Sequence, residues 1–424
     1  MKKFGPLALV VIAGIFLAFS PLESLRAQNG APADLTGENL APDIYPENSL
    51  SPEAGVPDGA GLAPETDTLT AEDLKPAIVF VAPKEGPLAP LAQGAFLGAD
   101  LAHKKYGGEL ALLSVSESPN APYFTKVVNP GRVKVVIGHL SESALTANAP
   151  YYRQRNLPVL LPFLDNWETE ELGAQYFRLV PDVPEQGRLL ARFVLGAKKK
   201  PKNVLIIESP EAPFALLSNV FQETLRDPYP PGPDGAPKKG PLRPLAKTAK
   251  VEIIPWEKAE DLPAVIASLK GTNADFILLA LSTQQALQVA PLFCETSFGK
   301  ANFLGGTALA NRDMGSAFAA MKLALFALVP TDPGNYAKKP ELRDFTVTYQ
   351  LINKRTPTWT SVMAYDAVHL AIKAYSTRDD LFSFLRNTEK HVGLAGEYAF
   401  GEEKIPSVVL QVDQSKAANH SYLP

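Results

Sequence analysis

From Pro76 onward, short runs of consecutive apolar residues alternate with longer segments whose apolar positions recur every three or four residues. Continuous apolar runs predict strands covered on both faces, and the helical recurrence predicts amphipathic helices between them. The predicted strands are Ala77 to Ala82 (AIVFVA), Glu109 to Val115, Val133 to Ile137 (VKVVI), Val159 to Leu161 and Tyr176 to Leu179. Helices are predicted over Leu91 to Lys105, Ser143 to Arg155 and Glu185 to Leu195. The alternation then restarts, with strands at Asn203 to Glu208 (NVLIIE), Val251 to Pro255 and Asp275 to Ala280 (DFILLA), and helices at Ala215 to Leu225 and Leu262 to Lys270. Strands joined through helices pair in parallel. The chain therefore reads as α/β, with two doubly wound halves in tandem.

The remaining segments break this texture. Lys2 and Lys3 precede an apolar run from Leu7 to Phe19, followed by Pro21 and the small residue Ala27. That run is shorter than the roughly 20 residues needed to span a bilayer, so residues 1–27 read as a cleavable signal peptide that sends the chain to the periplasm, with an uncleaved amino-terminal anchor as the alternative. Between Asn29 and Leu74 lie ten Asp and Glu, no Lys or Arg, and Pro32, Pro42, Pro46, Pro52, Pro57 and Pro64. With no periodic apolar pattern, 28–75 is expected to be an acidic, disordered spacer or tether. Asp227 to Pro244 is rich in Pro and Gly and reads as a surface insertion with a basic tip at Lys238, Lys239 and Arg243.

Composition narrows the chemistry. Beyond the acidic segment the chain holds 34 acidic and 38 basic residues, too even a balance for a nucleic-acid surface. The only cysteine, Cys294, excludes an internal disulfide, a CxxC pair and a lipid anchor near the cleavage region, and its apolar context predicts a buried thiol. The motifs GxSxG, GxxxxGK and HExxH are absent, and five scattered histidines offer no metal cluster. His139, two residues from Ser141, reads as a solvated or polar-contact residue of a turn and not as a base. Neither an enzyme, a cofactor nor a metal is expected.

Four segments, in order, carry a resemblance. A strand leads into Gly86-Pro87-Leu88-Ala89 and Gly94; VVIGHLSESAL spans Val135 to Leu145; LPVLLPFLDN and YFRLVPDVPEQG span Leu157 to Asn166 and Tyr176 to Gly187; AYDAVHLAIKAY and GLAGEYAF span Ala364 to Tyr375 and Gly393 to Phe400. Together they resemble the periplasmic binding proteins of type I that serve branched-chain amino-acid (Leu/Ile/Val) ABC transporters, from about Pro76 to about Val412. The resemblance implies two doubly wound lobes joined by three crossing strands, a hinge that closes on a small ligand, and an ABC permease in the inner membrane as partner. It maps lobe one to 76–181 plus 330–392 and lobe two to 182–329 plus 393–424, with the insertion at 227–244.

Ligands of open α/β sheets bind beyond the carboxyl ends of the strands. At Gly138 to Ser143 a helix start would offer amides and the Ser141 and Ser143 hydroxyls to a ligand carboxylate, although either serine could instead cap its own helix. The resemblance places Phe163, Leu164, Asp165 and Asn166 in a second ligand loop, where the family offers small residues and a hydroxyl. Asp165 would set charge preference there, and either Asp165 or Asn166 could merely cap a helix. The family's lobe-two tyrosine falls near Pro213 or Phe214, and its ammonium-binding acid near Thr307, so free branched-chain amino acids are not the expected ligands. Leu91, Phe214 and Trp256 are candidates for the cleft wall, with core packing as the alternative. Tyr365 and Asp366 match a family segment and are expected to serve packing and capping. The reading is a carrier of an amino-acid-like, carboxylate- or amide-bearing solute; its alternative is a periplasmic regulatory or protein-interaction module on the same fold.

Overall fold

Why the first half forms a sheet is visible in its central strand, β1 (Ala77–Ala82), all six residues of which are buried. Ile78, Phe80 and Ala82 enter one hydrophobic cluster and Val79 and Val81 the other, so each face of the strand has its own core. The structure, a computed structural model, describes the residues between Lys75 and Val412 except 87, 118–130, 165–173, 230–239, 257–259, 261, 269–272, 295–296, 311, 332–338, 378–380, 388–389, 399 and 401–404. The expected signal peptide, nearly all of the acidic segment, Asp165, Asn166, Lys238 and Lys239 thus lie outside the described residues. All described residues belong to one compact unit, Asp67–Pro424.

Around β1 a five-stranded parallel sheet is ordered β2-β1-β3-β4-β5, with β2 at Ala111–Ser116, β3 at Val133–Gly138, β4 at Val159–Leu161 and β5 at Tyr176–Arg178. Helix α1 (Ala89–Tyr106) covers one face and α2 (Glu142–Gln154) the other. Gly94, Ala95, Gly98, Ala99 and Ala102 form a small-residue surface on α1. A Cβ on Gly98 would run into the backbone of Ser361, which is why this face carries almost no side chains. The partner helix supplies the apolar mass instead.

The second sheet and its helices are built from α3 (Val183–Leu195), β6 (Asn203–Glu208), α4 (Ala212–Arg226), β7 (Lys250–Pro255), α5 (Leu262–Ser268), β8 (Phe276–Ala280), α6 (Thr283–Val289), β9 (Asn302–Gly305), α7 (Arg312–Ala320) and β10 (Ala324–Val329) in sequence. The chain then adds α8 (Pro340–Asn353), α9 (Trp359–Ser376) and α10 (Leu381–Asn387) beside the first sheet, α9 against α1. It leaves through the two-residue antiparallel pair β11 (His391–Val392) and β12 (Glu397–Tyr398) and ends as β13 (Val408–Val412). Sheet order is β13-β10-β9-β8-β6-β7, parallel apart from β13, which runs antiparallel to β10. The chain therefore passes between the sheets three times, after Arg178, after Val329 and through β11 and β12.

Several helices begin earlier than predicted, for one reason. α1, α3 and α4 start at Ala89, Val183 and Ala212, each with a proline in its first turn. A proline there gives up only an amide that has no partner within the helix. Cys294 corrects another expectation, because it is exposed at the end of a short 3-10 turn, Ala290–Phe293. Among the described residues no helix is long and apolar enough to cross a membrane, and no group of three metal-ligating side chains occurs.

Candidate functional site

At the carboxyl edge of the first sheet, the ends of β1, β2 and β3 converge on one turn. Gly138 (φ +130°) and His139 (φ +65°) hold left-handed backbone conformations, and a Cβ on Gly138 would strike the Val81 carbonyl oxygen. Such a turn aims successive amides at a single point, the geometry of an anion-binding concavity. That point is occupied by Glu117, one residue past β2. Its carboxylate accepts the Ser141 amide at 2.9 Å and the Leu140 amide at 3.2 Å, and pairs with His139 Nδ1 at 3.1 Å. The Glu117 side chain is 3% exposed and that of His139 fully buried, so His139 is a polar-contact residue and not a solvated one.

His139 Nε2 lies 2.9 Å from the Tyr152 hydroxyl of α2. With Nδ1 donating to the carboxylate, Nε2 accepts that hydroxyl, so the network fixes the tautomer and ring orientation. Burial holds the Tyr152 hydroxyl well above its ordinary value, keeping it a donor. Ser141 caps α2 by accepting the Ala144 amide at 3.4 Å, and its hydroxyl also lies 2.8 Å from that of Ser143. The capping role expected as the bland alternative is therefore present. Ser141 is half-buried and Ser143 exposed, so the pair stands at the edge of the sheet.

The other candidate residues are distributed as follows. Phe163 is buried edge-on to Phe80, with ring centroids 6.2 Å apart, whereas Leu164 joins the cluster on the opposite face of the sheet. Leu91 is half-buried in the first turn of α1. At the carboxyl edge of the second sheet, Phe214 lies in the first turn of α4 and packs against that lobe's core, and Trp256 is buried in the larger cluster. Thr307 follows β9 and is buried; its amide donates to Gln186 Oε1 at 3.0 Å and its hydroxyl to the same oxygen at 3.4 Å. Gln186 in turn donates to the Pro181 carbonyl at 3.2 Å, tying this edge to the first passage between sheets.

The third passage has its own polar anchor. Asp366 on α9 is fully buried; Oδ1 accepts the Leu394 amide at 2.7 Å, and Oδ2 accepts the Ala395 amide at 2.9 Å and the Tyr398 hydroxyl at 2.8 Å. Lys339 donates to the Ala395 carbonyl at 2.7 Å. Burial pushes Asp366 up to about 6, against the lowering effect of those hydrogen bonds and of Lys339. His391 is buried with no hydrogen-bond partner for either ring nitrogen among the described residues, 5.3 Å from the ring of His369. Burial, His369 and Lys373 lower His391 to about 4. Glu117, Lys339 and His391 lie outside every quoted segment and Gln186 inside one without being singled out, and sequence reasoning missed all four.

No protein-family model matches the chain, and no curated protein matches it. Solved structures do. A leucine-binding protein LivK from Thermotoga maritima is similar at TM-score 0.61 and 17% identity, over 80% of this chain and 95% of its own. The branched-chain amino acid transporter substrate-binding protein LivJ from Streptococcus pneumoniae, in complex with isoleucine, is similar at TM-score 0.60 and 16% identity, over 80% and 96%. A solute-binding protein of an ABC transporter from R. palustris, in complex with benzoate, gives 0.58 and 15%, over 80% and 93%. At these identities the likeness establishes the fold, two parallel-sheet α/β lobes of the type I periplasmic binding protein kind.

Proposed function

We propose that the chain is a periplasmic solute-binding protein that captures a small polar molecule between its lobes by hinge closure and delivers it to an ABC permease. Its ligand is read as amino-acid-like, bearing a carboxylate or an amide. The observation that carries this reading is the fold itself: two α/β sheets joined by three chain passages, shared over most of their length with proteins named as binding leucine, isoleucine or benzoate. Lobe one is taken as 76–181 plus 330–392 and lobe two as 182–329 plus 393–424. Ser141 and Ser143 stand on one wall; Phe214 and Thr307 follow strands of the other lobe, and Leu91 follows β1. Three connections permit closure while limiting twist. The signal peptide and the acidic spacer or tether expected from the sequence would fit export to the periplasm.

A second reading has its own support. Both walls are already bonded internally, with Glu117 in the amide concavity and Gln186 on Thr307, while Phe163 and Leu164 are spent on core packing. A site so filled suits a regulatory or protein-interaction module of the same fold. A thermal-shift screen of the purified mature chain against amino acids, amides, aromatic acids and cell-wall fragments separates the two. Solute capture predicts a saturable rise weakened by Ser141→Ala. If no compound shifts the protein, capture is rejected in favour of the interaction module.

A further inference from the structure

We propose that Glu117 is a built-in occupant of the carboxylate position on the lobe-one wall, and that it makes this wall select a neutral amide or hydroxyl group over a carboxylate. The inference rests on the solute-capture reading and names the ligand class it leaves. Glu117 reaches the turn after β3 from the end of β2, across the intervening β1, so the contact is a long-range one that the fold itself imposes and not a local cap. The Leu140 and Ser141 amides both point to its two oxygens, and His139 Nδ1 supplies a third contact. The Ala144 amide is taken by Ser141 Oγ.

What this wall then offers is the Ser141 and Ser143 hydroxyl pair, 2.8 Å apart, beside the exposed Glu142 in the same first turn. A second carboxylate brought here would meet a fixed negative charge across a short, partly desolvated distance, where like charges repel strongly. Lys84, at the end of β1, donates to the Ser114 carbonyl at 3.1 Å. Hydroxyls both donate and accept, as an amide or alcohol requires. The positive end of the α2 dipole offsets part of that negative charge, so a cation gains little here as well. Charge and hydrogen-bonding capacity thus agree on a neutral partner.

The test uses the full mature chain and matched neutral and anionic probes: benzamide with benzoate, and isovaleramide with isovalerate. The amide of a pair should bind the unaltered chain at least about tenfold more tightly than its acid. Glu117→Ala should be destabilised and then rescued saturably by millimolar acetate or formate, which fill the vacated concavity, whereas neither ion stabilises the unaltered chain. Glu117→Gln, which preserves volume, keeps the test readable if the alanine variant does not fold, and should shift preference towards the acids. Tighter binding of the acid to the unaltered chain, lost in Ser141→Ala, would overturn the inference. So would absence of rescue in a folded Glu117→Ala. If no probe binds the unaltered chain yet acetate rescues the variant, solute capture falls while the resident carboxylate stands.

Discussion

Glu117 and Asp366 solve the same physical problem in two places. Each is a buried carboxylate that accepts two consecutive backbone amides, Leu140 and Ser141 in one case, Leu394 and Ala395 in the other. Their third partners differ. Glu117 faces an imidazole backed by the Tyr152 hydroxyl, at the carboxyl edge of the first sheet. Asp366 faces the Tyr398 hydroxyl deep in the passage between sheets, and a Cβ on Gly393 would press directly on its oxygens. One carboxylate therefore closes an amide turn at a sheet edge, and the other fastens a connection between the two sheets.

The largest expected effect is at the connection. Asp366→Ala leaves two amides and a hydroxyl unsatisfied in a dry site, at about 1–3 kcal/mol per group, so denaturant unfolding should show a loss of about 4 kcal/mol. Asp366→Asn should lose much less, because burial already disfavours the charged form. Equal losses from both variants would break the distinction between carboxylate packing and carboxylate charge.

Next comes pH, where Asp366 and His391 act with opposite sign. Asp366 rises from its ordinary 3.8 to about 6, so its contribution to stability is complete below pH 3.8 and is lost as pH climbs through 6. His391 falls from 6.5 to about 4, so its contribution is complete above pH 6.5 and is lost as pH drops through 4. Each limb is on the order of 3 kcal/mol, and they nearly offset between pH 4 and 6. Melting profiles should show Asp366→Asn losing stability on acidification in that window and His391→Phe gaining it. Parallel profiles for the two variants would contradict the assignment.

At the wall, Glu117→Ala should cost about 2–3 kcal/mol by the same accounting, with Glu117→Gln nearer to 1. Smallest is Tyr398→Phe, which removes one bond to Asp366 and should cost about 1 kcal/mol in a chemical-denaturation curve while raising the Asp366 titration further.

Strands were the most legible part of the fold, because β1, β6 and β8 are continuous apolar runs with no competing period. Helix starts were less so, since Pro90, Pro184 and Pro213 look like breakers until their place in a first turn is known. The site was legible only as an edge. Ser141 could be found because a cap and its helix are adjacent in sequence. Glu117 could not, because its partners lie 22 to 24 residues away in the turn after β3, and Asp366 meets its amides 28 and 29 residues on. Cys294 looked buried because apolar neighbours precede it in sequence, whereas the turn it closes buries Ala290 and Phe293 and leaves Cys294 exposed.

Hinge-driven capture requires a solute to close the two lobes on each other. Small-angle X-ray scattering of the mature chain, titrated with a solute that raises its melting temperature, reads that closure directly. Closure should appear as a radius of gyration that falls saturably with solute and does not fall in Ser141→Ala at the same concentration. A solute that stabilises the protein while leaving the scattering curve unchanged would contradict hinge-driven capture.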